Sequence, residues 1–116
     1  MTRPDAGFTD EQALEEQIQA HGLTAPRITP EQIDAQIVRE DYHRFPDTTV
    51  TIALLTLRNG YAVTGESACV SSDNFNATLG RDIARRNARE KIWPLMGYAL
   101  RDQQLRDSAK RRGHPH

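Results

Sequence analysis

The sequence predicts an α+β fold in which a β-hairpin packs on a long, proline-kinked C-terminal helix. Two β-prone runs flank Arg58-Asn59-Gly60-Tyr61, and Asn-Gly between such runs favours a tight turn with positive φ at both central residues. Phe75, Leu79, Ile83, Ala88, Ile92 and Leu95 then recur at helical spacing. Pro94 has no amide hydrogen for Glu90 and its ring clashes with that turn, so the helix is interrupted at Trp93-Pro94.

Two short helices are expected ahead of the hairpin. Thr9 is placed to cap the first, which runs through about Ala20 and stops at His21-Gly22. Only Ala13, Leu14 and Ile18 offer it an apolar anchor, so residues 1–28 read as a mobile segment with one short helix. Ala25-Pro26-Arg27-Ile28 is a linker. Thr29-Pro30-Glu31-Gln32 starts the second helix: Thr29 caps, Pro30 sits in the first turn, and Gln32 holds the reciprocal capping-box position. Ile33, Ile37 and Val38 give that helix a narrow apolar stripe. Residues 41–47 read as a loop with Tyr42 and Phe45 plugging the core, and Pro46 favours extended entry into the first strand. Residues 29–110 are expected to form one domain, followed by a polar tail, 111–116.

A two-residue loop at Asn59-Gly60 would pair Thr56 with Val63, Leu54 with Gly65 and Ile52 with Ser67. The core face would then carry Val50, Ile52, Leu54, Tyr61, Val63 and Cys69. Gly65, with the small-residue stripe Gly80, Ala84 and Ala88, lets helix and sheet sit close together. Leu55 and Leu57 fall on the second face, where exposure forgoes roughly 1.5–3 kcal/mol each. A two-stranded sheet is also marginal in water and has two open edges. These points predict a homodimer with a shared sheet; the alternative is a monomer whose N-terminal helices cover the second face. Ser71 is expected to cap the long helix, with Asp73 in its first turn.

The chain has 116 residues, 37% hydrophobic and 27% charged, the range of a single globular domain. No apolar run approaches the length of a membrane span, and the first residues lack the apolar core of a signal peptide. One cysteine, Cys69, excludes an internal disulfide and fits a reducing cytoplasm. The net charge of −1 conceals a strong asymmetry: residues 1–47 carry four basic and ten acidic side chains, −6, and residues 81–116 carry ten basic and four acidic, +6. Either the acidic N-terminal helices lie across the basic helix, or the basic face meets an anion.

Asn59-Gly60-Tyr61, Gly65-Glu66-Ser67-Ala68-Cys69, Asn74-Phe75, Gly80 and Ala88-Arg89-Glu90-Lys91-Ile92-Trp93-Pro94-Leu95, with Tyr98 following, resemble a family of small phage and prophage proteins labelled after gene product 49 of one phage and gene 66 of another. The resemblance covers about residues 48–102. It implies a phage-encoded accessory protein made in a bacterial cytoplasm. It implies no reaction and transfers no catalytic residue.

Arg81, Arg85 and Arg89 stand four apart on one helical face, beside Arg86 and Lys91. They form either an anion-binding ridge, since guanidinium groups grip oxyanions bidentately, or a solvated face with local ion pairs. Glu66 and Lys91 lie near the sheet–helix junction and are expected to pair across an interface or to touch a ligand. Asn87, a poor helix former, points to a hydrogen bond with a buried backbone group or a ligand edge. Trp93 and Tyr98 flank the kink, as core aromatics or as stacking and partner-anchoring groups. His21, His43, His114 and His116 have no carboxylate or cysteine at metal-site spacing. Ser67 and Cys69 have no nearby partner histidine for nucleophilic catalysis, and no glycine loop cradles a phosphate.

No catalytic residue, metal or cofactor is therefore expected. The reading favours a non-enzymatic accessory protein that binds and blocks or sequesters a host factor, either a host protein or a small anionic nucleotide signal, in the manner of counter-defence. The alternative is nucleic-acid binding through the basic C-terminal helix, although the near-neutral net charge and the lack of a recognition motif argue against duplex DNA.

Overall fold

The computed structural model describes residues 6–21, 26–70 and 76–111, with side chains from Glu11 onward. The order of elements is α1 (Ala6–Ala20), α2 (Pro30–Gln36), β1 (Ile37–Arg44), β2 (Val50–Leu57), β3 (Ala62–Ala68), α3 (Ala77–Glu90) and α4 (Ile92–Arg111). The three strands form one antiparallel sheet in the order β1-β2-β3. A long bent C-terminal helix, α3 and α4 together, packs on it through α3. The fold is α+β.

Helix α1 begins at Ala6, ahead of the expected cap Thr9. Helix α2 starts as its sequence dictates. Thr29 Oγ1 accepts from the Gln32 amide at 3.2 Å, and Gln32 Oε1 accepts from the Thr29 amide at 3.1 Å. This satisfies two of the amides that a helix start leaves without partners. Ile33, on the inner side of α2, is fully buried.

The first correction concerns residues 37–44, expected as helix end and loop. They form β1, antiparallel to β2, with Glu40 beside Leu55, Tyr42 beside Ala53 and a register shift between Ile37 and Arg39. Val38 is consequently exposed rather than part of a helical stripe. The Phe45 carbonyl accepts from the Thr48 amide at 3.2 Å. Pro46 takes the second position of this turn and Asp47, with φ of 61°, the third, the pattern of a type II turn. Tyr42 packs against the core as expected. Phe45 is exposed and meets the His43 ring edge-on.

The second correction concerns the hairpin. Its reversal is at Asn59-Gly60, but the loop has three residues. The Gly60 amide donates to the Leu57 carbonyl at 2.9 Å, and the Leu57 amide donates to the Tyr61 carbonyl at 2.7 Å. Gly60 alone in the loop has positive φ, 92°, so this is a type I turn closed by a glycine bulge. Asn59 Oδ1 takes the Tyr61 amide at 3.0 Å. The extra residue moves the register by one: Leu55 pairs with Val63, Ala53 with Gly65 and Thr51 with Ser67. A one-residue shift exchanges faces. Val63 and Gly65 remain inward, but β2 turns over, so Thr51, Ala53, Leu55 and Leu57 are buried while Leu54 and Tyr61 are exposed. Leu55 and Leu57 lie in the core, which removes their exposure as a reason for dimerisation.

The core consists of Ile33, Ala53, Leu55, Leu57, Val63, Ala84, Ala88 and Ile92, with Ile28, Ile37, Tyr42, Trp93 and Met96 around it. Helix α3 meets the sheet through the small residues Ala84 and Ala88, over Gly65, whereas Leu79 and Leu95 of the large-residue stripe are partly in solvent. Asn76 caps α3, its Oδ1 accepting from the Leu79 amide at 2.9 Å; the expected cap Ser71, with Asp73 and Phe75, lies outside the described residues. The break falls at Lys91, three residues before Pro94, with the Lys91 amide bonded to the Ala88 carbonyl at 3.0 Å. Pro94 thus sits in the first turn of α4, where a missing amide hydrogen costs nothing.

Candidate functional site

The proposed arginine ridge lies along α3, and the acidic N-terminal part of the chain lies against it. Arg89 is nearly buried, 9% exposed. Its Nε donates to Asp34 Oδ1 at 2.8 Å, and its Nη1 and Nη2 donate to the two carboxylate oxygens of Glu11 at 2.9 and 3.1 Å. Nη2 also reaches Asp34 Oδ2 and the Pro30 carbonyl, both at 3.4 Å. The capping box fixes the start of α2 and so sets Asp34 beneath the guanidinium. Burial works to discharge Arg89, but the hydrogen bonds from Glu11 and Asp34 outweigh it and raise its pKa.

One turn earlier, Arg85 Nε donates to Glu40 Oε2 at 3.0 Å, and the Tyr42 hydroxyl donates to Glu40 Oε1 at 2.7 Å. Strand β1 brings Glu40 and Tyr42 to the helix side of the sheet. The hydrogen bond from Tyr42 is the main cause holding the Glu40 carboxyl below its ordinary range; burial opposes it, and Arg85 adds to it. Burial and then the Glu40 hydrogen bond push the Tyr42 phenol up to about 12. Arg81 is exposed, and among the described residues its side chain bonds only within its own helix, to Thr78 Oγ1 at 3.4 Å. Of the ridge, two guanidinium groups already hold carboxylates and the third faces water.

The other expected residues do not gather at one place. Glu66 is exposed on the sheet face away from α3, opposite Ile52. Lys91 is exposed at the helix break, and among the described residues no ion pair joins it to Glu66. Asn87 Nδ2 donates to the Glu66 carbonyl at 2.8 Å, which ties α3 to the edge strand and accounts for an asparagine inside a helix. Nearby, Ser67 Oγ donates to the Gly80 carbonyl at 2.7 Å. Trp93 packs against the core and Tyr98, 74% exposed, does not.

Sequence reasoning left unassigned the carboxylates that meet the ridge, Glu11, Asp34 and Glu40. The only sequence signal for them was the opposed charge of the two ends. Of a second surface it named only Tyr98 as a partner-anchoring group. Helix α4 buries Ile92 and half-buries Trp93, Met96 and Leu100 on one side. Leu95, Tyr98 and Leu105 lie on the other side, at spacings that share a helix face, and all three are exposed. Among the described residues, no group of three or more His, Cys, Asp or Glu side chains is placed to hold a metal ion, and no helix is long and apolar enough to cross a membrane.

These features define a small α+β domain whose helix α3 is tied by arginine–carboxylate pairs to β1, α1 and α2. The model of the Phage protein (N4 Gp49/phage Sf6 gene 66) family matches residues 28–104, more than half of the chain, and the chain belongs to that family. The matched region takes in α2, the sheet, α3 and the first turns of α4, and leaves α1 outside. No curated protein and no solved structure matches the chain.

Proposed function

We propose that this phage protein acts without a reaction of its own, by binding a host protein and blocking it, as a counter-defence factor does. The observation that carries this reading is the outer side of α4. Leu95, Tyr98 and Leu105 stand in solvent on a helix that is apolar on two opposite sides. One side is spent on the core. A helix presenting a second set of anchors at i, i+3 and i+10 is the form in which helices enter a partner's groove, and tyrosine is a frequent hot-spot residue at such interfaces. Sequestration of a small anionic nucleotide is less well supported, because Arg85 and Arg89 are already paired with Glu40, Glu11 and Asp34.

A second reading, nucleic-acid binding, draws on Arg101, Lys110 and Arg111, which are exposed along the same helix. Self-association also remains a proposal. It now rests on β3, an edge strand with no proline, no bulge and Glu66 as its one charge.

The test is affinity capture from host cells with the wild-type chain and with Tyr98→Ala and Leu105→Asp. A host protein held by the wild type and lost at least tenfold in both variants supports the reading. Equal capture by all three would refute it. Retardation of nucleic acid that weakens steeply with salt would favour the second reading. Light scattering at micromolar concentration reports self-association, with 13.1 kDa for one chain.

A further inference from the structure

The Arg89 guanidinium is held along two edges by different helices. Asp34 and the Pro30 carbonyl hold its Nε side from α2, inside the part of the chain that the family model matches. The outer edge, Nη1 and Nη2, faces the Glu11 carboxylate of α1, outside that part. Parallel N–H groups on a fixed guanidinium are the geometry that grips a carboxylate bidentately.

From Glu11 onward, helix α1 is thinly attached. None of its described side chains belongs to the hydrophobic core, Leu14 is 58% exposed and Ile18 only half-buried. Among the described residues, its side-chain ties to the rest of the chain are ionic, Glu11 to Arg89 and Glu15 to Arg27. Ionic ties are weakened by salt and replaced by competing anions, whereas Asp34 is carried by α2, independently of α1.

We propose that the outer edge of Arg89 is a binding site for an acidic helical segment of a protein partner, and that α1 is the internal stand-in that occupies it in the free chain. The site and its ligand class are independent of the α4 stripe, so the two readings fail separately. A partner helix with a carboxylate in the place of Glu11 displaces α1 without unfolding the core, because α1 contributes no core residue among those described.

The probe is a fluorescent peptide with the sequence of Ala6–Ala20, offered to the full chain and read by anisotropy. Hydrogen exchange of α1 and α3 is followed in parallel. In the wild type, α1 amides are expected to exchange at least tenfold faster than the protected amides of α3. Glu11→Gln should speed α1 further, leave α3 unchanged, and bind the peptide at least tenfold more tightly than the wild type does. Adding Arg89→Lys, which keeps the charge but loses the bidentate edge, should abolish that binding while α3 protection persists. The proposal is overturned if α1 and α3 exchange as one unit. It is equally overturned if folded Glu11→Gln does not take up the peptide, or takes it up as well with Lys at 89.

Discussion

Gly65 of β3 lies so close to Ala88 of α3 that a methyl group on the glycine would stand 2.1 Å from the Ala88 amide nitrogen, and 2.4 Å from the Ala84 carbonyl oxygen. Both atoms belong to a helix backbone and cannot rotate aside. Gly65→Ala is therefore expected to cost about 3 kcal/mol or more, a fall in Tm of at least about 10 °C for a chain of this size. Gly97→Ala is the control. Among the described residues, nothing lies within 4 Å of a Cβ there, and alanine in a helix interior should raise stability by up to about 1 kcal/mol. Thermal unfolding of the two variants checks both.

The face that β2 turns inward is testable in the same way. Leu55 is fully buried and Leu54 is 36% exposed. Leu55→Ala should cost about 2–5 kcal/mol, and Leu54→Ala under about 1 kcal/mol. Urea titration would show the order; equal losses would contradict the register.

The Glu40–Tyr42 pair makes stability sensitive to pH at both ends. Glu40 has a lowered pKa in the fold, so its contribution is complete above the ordinary carboxylate value and is lost as pH falls through the folded one. Tyr42 is raised from 10.0 to about 12, so its contribution is complete below 10 and is lost as pH rises towards 12. In a Tyr61→Phe/Tyr98→Phe background, phenolate absorbance should report Tyr42 ionising near 12. Adding Glu40→Gln should move that titration down.

Thr29 holds the start of α2, and through it Asp34. Thr29→Ala should cost about 1 kcal/mol, measured as a lower midpoint in urea with an unchanged slope. Thr29→Asp, which also accepts from the Gln32 amide, should retain most of the stability.

What was legible in the sequence was what local chemistry decides. The Thr29 box, the bend ahead of Pro94 and the close approach at Gly65 each depend on residues a few positions apart, or on the bare size of a side chain. Strand β1 was hidden because Arg39-Glu40-Asp41 breaks the apolar alternation. An outer strand joined to one neighbour tolerates charge, and its pairing comes from β2 rather than from its own pattern. Asn59-Gly60 marked the reversal but not its length, since it suits a two-residue turn and a type I turn with a glycine bulge alike. That single residue decided which leucines are inside. The ridge was visible as a spacing of arginines. Its occupants were not, because Glu11, Asp34 and Glu40 stand 78, 55 and 45 residues away from the arginines they meet, and contacts of that separation leave no periodic trace.

The joint at Lys91 has a mechanical corollary. Helix α4 has 20 residues, a rod about 30 Å long, and its inner contacts are concentrated near the joint, at Ile92, Trp93 and Met96. A pivot of only about 10° at Lys91 would carry the far end through about 5 Å by the same geometry. A partner docking on Tyr98 or Leu105, as proposed above, would therefore meet a lever aimed by the short joint at Lys91.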